Sequence, residues 1–307
     1  MSMLYGATGS LNLGEIRELA AGGEASGELL RFGTVFLIAG IAFKFGAAPF
    51  HTWLPDVYQG SPECHHPVRG LAPQGRGLRH GLPGAGREGS SPLNDLWQPL
   101  LVLIAMLSLS IGNVVALAQA NLKRMLAYSN MLHVGFILIG LASGTSYGYA
   151  SAMLYTLFYA LTAAGAFGSI VVLSGRGFEA ERLEDYRGLA RRSPWYAFLM
   201  MLLMASLAGF PPLFGFFAKI LILKAVVGAG MIHVAVFALL FAVVGAFYYL
   251  RIVKLMFFDE PAEGPGPTPP ADPAVRLVLS ANALLQLLAL LGWGPLLSWC
   301  LASFARP

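Results

Sequence analysis

The sequence predicts an all-α integral membrane protein, a polytopic helical bundle with two broken helices. Three observations lead there. Of the 307 residues, 56% are hydrophobic and only 12% charged, against roughly 25% charged in a soluble domain. Apolar runs of the ~20 residues needed to cross a bilayer recur along the chain. Two of those runs are interrupted by glycine and proline beside a lysine, the pattern of inverted-repeat transporters.

Taken in order, residues 1–28 are Gly- and Glu-rich and read as a loop. Membrane spans are expected at 29–50, 97–119, 125–142, 148–174, 195–228, 231–257 and 275–301. In the first, Gly46 and Pro49 interrupt the run shortly after Lys44; in the fifth, Gly209, Pro211 and Pro212 do so shortly before Lys219. A proline inside a helix lacks an N–H and fixes φ. Each break therefore frees backbone polar groups at membrane depth, where only protein or a water-lined cavity can receive them. The stretch 259–273 (DEPAEGPGPTPPADP) is a Pro/Gly loop.

Counting 195–228 as one broken span places Lys123, Arg124, Arg176, Arg182, Arg187, Arg191, Arg192, Arg251, Lys254 and Arg276 on a single side. Beyond residue 93, only Arg306 then falls opposite. Counting it as two spans would scatter these charges. The positive-inside rule selects one broken span, a cytoplasmic basic face and an outer C-terminus.

Residues 61–92 (SPECHHPVRGLAPQGRGLRHGLPGAGREGSSP) have no periodicity and break the pattern. They read as a basic loop, as a metal site through Cys64, His65 and His66, or as a frame error. Adjacent Cys-His-His lacks the spacing that lets side chains converge on a tetrahedral ion. The frame error is the favoured expectation. One GC-rich coding of Pro73–Pro83, read one base out of frame, gives Pro-Lys-Ala-Ala-Ala-Phe-Ala-Met-Ala-Tyr, an apolar helix-forming string with one lysine.

The candidate chemistry is proton handling. A lysine at the bilayer centre costs ~2.5–3.5 kcal/mol on insertion scales, and such residues face a bundle interior or water. Lys44 and Lys219 are the candidates; the bland alternative is snorkelling to an interface, which suits Lys224 near its span's end. His51 after the first break and His133 within an apolar span are titratable bridges or hydrogen-bonded interior histidines. Lys123, at the start of its span, is a boundary anchor or a channel-mouth residue. Asp56 is expected to cap locally or to form a structural ion pair, and Tyr155 and Tyr159 to pack. No dinucleotide fingerprint, iron–sulfur cysteine set or haem ligand pair is present, and the two cysteines, Cys64 and Cys300, are far apart.

Five strings carry a family resemblance: FKFGAAPFHTWLPDVYQGSP (43–62), ANLKRMLAYSNMLHVGF (120–136), RSPWYAFLMMLLM (192–204), SLAGFPPLFGFFAKILIL (206–223) and GAFYYLRIVKLMFFDEP (245–261). They resemble the antiporter-like subunits of respiratory complex I, and PDVYQGSP within them resembles the subunit N branch. That resemblance implies two inverted five-helix repeats, each with a lysine on a broken helix. Residues 1–92 would be the tail of the first repeat, 93–258 the second, and 259–307 a Pro/Gly loop with a C-terminal helix. Roughly six leading helices of the family pattern are missing. With them goes the glutamate that pairs with the first-repeat lysine, and 61–92 stands where a lysine-bearing helix belongs.

The resemblance further implies a proton-translocating, multi-pass subunit of the bacterial inner membrane, with Lys44, Lys219, His51, His133 and Lys123 on the proton path. The chain would hold no cofactor or metal. NADH, FMN, iron–sulfur clusters and quinone would belong to partner subunits, with other membrane subunits and the lipid bilayer as partners and no nucleic acid. A sodium/proton antiporter or membrane hydrogenase subunit, or a non-transporting remnant, are the alternative expectations.

Overall fold

A computed structural model of the chain describes residues 2–12, 15–16, 18–19, 27–60, 94–174, 179–261 and 272–304. The frame-error segment 61–92, the metal reading of Cys64, His65 and His66, Arg176, Arg306 and most of the 259–273 loop lie outside the described residues. No strand occurs among the described residues; the architecture is a bundle of helices.

The described helices are α1 (Ser2–Thr8), α2 (Gly27–Phe45), α3 (Trp53–Gly60), α4 (Asn94–Ala118), α5 (Leu122–Ala142), α6 (Ser146–Leu173), α7 (Leu189–Arg192), α8 (Pro194–Ala208), α9 (Phe214–Gly228), α10 (Ile232–Phe257), α11 (Pro273–Leu285) and α12 (Gly294–Phe304). Trp97–Ala118, Leu122–Ala142, Ser146–Leu173 and Ile232–Phe257 are each long and apolar enough to cross a membrane. The ends follow local chemistry. Asn121 caps α5 by accepting from the Arg124 amide, and Thr145 caps α6 by accepting from Gly148, so each side chain satisfies an orphan helix N–H. Pro194 opens α8, where its missing N–H costs nothing.

Two expectations are corrected. Part of 1–28 is helical: Leu4 of α1 is buried on Gly33 of α2, whose missing side chain makes the room. The single C-terminal span expected over 275–301 is divided. After α11 comes a 3-10 stretch over Gln286–Leu291, and the chain then turns at Gly292, whose φ of 123° suits only glycine, before α12.

The core is α5. It has no polar face, and its apolar window is 94% buried, against 28% for α10 and 39% for α4. Apolar side chains on α10 and α4 need no cover in lipid. Small residues bring α4 and α5 together: a Cβ on Gly112 would lie 2.7 Å from Met131 Cβ, and one on Gly135 2.7 Å from Leu109 Cγ. Close backbone approach of this kind is how membrane helices gain packing energy without a hydrophobic drive between them.

Lys123, Arg124, Arg187 and Lys254 gather at one end of the bundle. There the connection between α6 and α8 crosses the start of α5: Leu122 N–H donates to Glu181 O at 2.6 Å and Leu183 N–H to Ala120 O at 3.0 Å. Gly188 N–H reaches Leu255 O at the end of α10, 3.0 Å away, and Trp195 Nε1 donates to Ser280 Oγ of α11 at 3.1 Å. α8 thus begins at the end where α10 finishes. That is the geometry of one broken crossing made of α8 and α9, as the charge pattern requires.

Candidate functional site

The α8–α9 break is built by its own sequence. Gly209 adopts φ 91°, and its amide turns back onto Ala205 and Ser206. In an unbroken helix the carbonyls of Leu207 and Ala208 would accept from residues 211 and 212. Both of these are proline and carry no N–H. The two freed carbonyls are taken by Lys219 on α9: Nζ donates to Leu207 O at 3.0 Å and to Ala208 O at 2.7 Å. Its ammonium position also faces the Phe136 ring, 5.8 Å from the centroid. Lys219 is 6% exposed. The negative end of the α8 dipole points at it, a placement that favours a cation.

Next to this lysine lies a polar cluster on α5, α6 and α10. His133 is buried, with Nδ1 2.9 Å from Tyr155 Oη and Nε2 3.1 Å from Tyr249 Oη. Its ring stacks on Tyr159 at 4.4 Å between centroids. A cavity of about 10 Å³, lined among others by His133, Thr162, Ser206, Leu207 and Ala218, lies between the histidine and the helix break; that is about the size needed for one water. Gln286 Oε1 sits 2.9 Å from Ser206 Oγ and 3.1 Å from Thr162 Oγ1, tying α6, α8 and the C-terminal 3-10 stretch together at the cavity's edge.

At the basic end, Lys123 is paired. Its Nζ donates to Glu181 Oε1 at 2.6 Å, and Asn121 Nδ2 donates to the other carboxylate oxygen at 3.0 Å. Burial pushes the Glu181 carboxyl up, but the hydrogen bonds and charge supplied by Lys123 and Asn121 outweigh it, and the group is held below the ordinary carboxylate range.

The structure thus brings Lys219 and His133 into one neighbourhood. It does not bring Lys44 or His51 there. Lys44 ends α2 exposed, with no partner among the described residues. His51 is half-buried after the first break, its ring edge-on to Tyr128 at 6.5 Å. That break is held differently: Ala48 N–H donates to Ser108 Oγ of α4 at 2.9 Å. Asp56 pairs with Arg124 at 3.2 Å, the structural ion pair expected of it. Lys224 is exposed, with its amine over the Tyr147 ring at 5.5 Å, in keeping with a snorkelling side chain. Tyr155 does more than pack, since its hydroxyl meets His133 Nδ1, whereas Tyr159 packs flat on the imidazole, as expected.

Sequence reasoning missed Glu181, Tyr249, Ser206 and Gln286. A glutamate in a charged loop carries no signal of its own. Tyr249 is two positions from Arg251 in a run that reads as a boundary. Ser206 and Gln286 become meaningful only once the break brings α6, α8 and the C-terminal stretch together.

The sequence pattern of the NADH:quinone oxidoreductase/Mrp antiporter transmembrane family matches residues 1–66 and 89–245. The chain belongs to this family. NADH-quinone oxidoreductase subunit N of Thioalkalivibrio sulfidiphilus is 53% identical over 93% of the chain and 59% of that relative. The same subunit of Alkalilimnicola ehrlichii is 48% identical over 99% of the chain and 62% of the relative. The chain spans about 60% of the length of these relatives. Among solved structures, a chain of respiratory complex I from Thermus thermophilus superposes with a TM-score of 0.77 at 33% identity, covering 96% of this chain and 63% of that one. A chain of the archaeal membrane-bound sulfane sulfur reductase gives 0.81 at 25% identity, covering 99% and 62%. An Mrp complex chain from Dietzia, 22% identical with a TM-score of 0.79, shares the antiporter-like fold.

Proposed function

We propose that this chain acts as a proton-translocating, multi-pass membrane subunit of NADH-quinone oxidoreductase in a bacterial inner membrane, beside other membrane subunits of that complex. NADH, FMN, iron–sulfur clusters and quinone act in the partner subunits, and this chain contributes proton movement alone. The observation that carries the reading is Lys219, buried at mid-span and held by two carbonyls that the helix break sets free. The subunit N relatives and the family match support it.

The side chains suggest how a proton moves. Protonated Lys219 has its charge met by the Leu207 and Ala208 carbonyls; neutral, it needs neither, so its protonation tracks the local field. His133 has a tyrosine hydroxyl on each ring nitrogen. A proton arriving at one nitrogen leaves from the other without turning the ring, because the hydroxyls rotate instead. The small cavity beside Ser206 is the natural link between the two. Lys123, paired with Glu181, stands at the cytoplasmic end of the same helix as His133 and connects that cluster to the surface. Lys44 and His51 are assigned to a separate first-repeat path.

The test is Lys219→Met in membrane vesicles in which this chain is the only copy of the subunit. NADH oxidation and proton uptake are measured together, in sodium-free and sodium-containing buffer. The expected result is proton uptake reduced about tenfold or more per NADH oxidised, equally in both buffers, as for a group acting in the transfer step. An unchanged ratio refutes the role of Lys219, and dependence on sodium favours the antiporter reading.

The interruption of the family match over residues 67–88 favours a second reading, in which the chain is a non-transporting remnant. Sequencing the DNA across codons 55–95 in all frames distinguishes them. A neighbouring frame encoding an apolar helix with a central lysine supports the remnant; no such frame makes 61–92 a genuine loop.

A further inference from the structure

Beside Lys219 lies a second, larger cavity of about 270 Å³ between α9 and α10. Gly209, Pro211, Phe216, Leu223, Val243 and Ala246 are among its lining residues, and Lys219 is part of its wall. Apart from the lysine every lining side chain is apolar. Leu239 and Val243 of α10, on the rim, are 53% and 66% exposed, so the mouth faces the lipid side of the bundle. Nothing stands between Gly209 and the amine: a Cβ there would lie 3.0 Å from Lys219 Nζ. The ammonium carries three donors, and two are used on Leu207 and Ala208.

We propose that this cavity binds a single-chain amphiphile with a carboxyl head, its tail along α10 and its carboxyl against Lys219. The charge decides the head group: an apolar pocket with one buried cation at its wall is complementary to an apolar chain ending in an anion. Volume decides the source. About 270 Å³ holds one acyl chain but not the two chains of a diacyl phospholipid, so the occupant is a free single-chain acid, which enters the apolar pocket in its neutral form. The neutral acid meets Lys219 in its neutral amine form; the O–H proton passes to the Nζ lone pair, and carboxylate and ammonium form together as an ion pair. Binding itself does not rest on the proposed function. Only its consequence does, namely that the carboxylate would compete with the two backbone carbonyls for the amine and arrest proton exchange there.

The experiment uses the whole chain in lipid nanodiscs with a photoreactive diazirine analogue of decanoic acid, and labelled peptides are mapped by mass spectrometry. Label is expected within 209–223 and 239–246. Decanoate should compete about tenfold better than decanol, the worth of one charge-assisted hydrogen bond. Ala246→Phe, which fills the cavity, should abolish labelling there, and Lys219→Met should erase the preference for decanoate over decanol. Label spread evenly along the lipid face of α10, equal competition by acid and alcohol in the unaltered chain, or labelling that survives Ala246→Phe overturns the proposal. The competition arm needs no variant, so a variant that fails to fold leaves the test intact.

Discussion

Replacing Glu181 with glutamine tests how the basic end of the bundle is held. Lys123 and Glu181 meet at 2.6 Å with side chains only 5% and 17% exposed. Removing one partner of a buried pair costs ~3–5 kcal/mol, because the other charge is left without compensation. Glutamine keeps one acceptor oxygen and the side-chain shape, and Glu181 retains some contact with water, so the expected loss is about 2–3 kcal/mol at pH 7. The pH dependence has a definite sign. The carboxyl is held below its ordinary value near 4.5 in the folded chain. Its stabilisation is therefore complete above that value and lost as pH falls through the lower, folded one. Unfolding free energies from denaturant titration in nanodiscs should separate the two proteins at pH 7 and bring them together on acidification below about 4.5. A double-mutant cycle with Lys123→Met should give a coupling of ~2 kcal/mol. If the two substitutions add to within about 0.5 kcal/mol, as independent sites do, the pair adds nothing to the two backbone hydrogen bonds that join the α6–α8 connection to α5, and the reasoning fails.

Three further outcomes follow from the same geometry. Gly209→Ala places a side chain at φ 91° and 3.0 Å from Lys219 Nζ; the backbone alone costs about 1–2 kcal/mol, read by denaturant titration, whereas Gly40→Ala, with open space around it, should be neutral or slightly stabilising. Tyr249→Phe and Tyr155→Phe each remove one hydroxyl from His133 and should each cost about 1 kcal/mol in unfolding free energy. Lys224→Ala, at an exposed position, should change stability by less than about 0.5 kcal/mol; a larger loss would show that its contact with Tyr147 is more than an interfacial lean.

The membrane class, the helix limits within a few residues and both breaks were legible in the sequence, because lipid leaves only composition and Pro/Gly punctuation to decide them. Lys219 was legible for the same reason: a charge inside an apolar run has to be held by something. What held it was not legible, since its partners are carbonyls, which every residue possesses. The roles of Tyr155 and Tyr249 at His133 were not legible, because their hydroxyls find the imidazole only when α5, α6 and α10 converge. Glu181 was hidden by separation, lying 58 positions from Lys123. The divided C-terminal span was missed because 275–301 is apolar throughout, and a glycine in an apolar run is a weak signal until its φ is known.

The acceptors that hold Lys219 have a consequence for how this protein tolerates change. Leu207 and Ala208 serve through atoms that no amino-acid replacement removes, so a side-chain scan across α8 would pass over them in silence. What can be lost is the pair of prolines four residues on. Restoring an N–H at 211 or 212 offers each carbonyl an intrahelical rival for the amine. The vulnerable positions for this charge are therefore two residues that never touch it, and genetic screens that look for lysine ligands among polar side chains would search the wrong part of the chain.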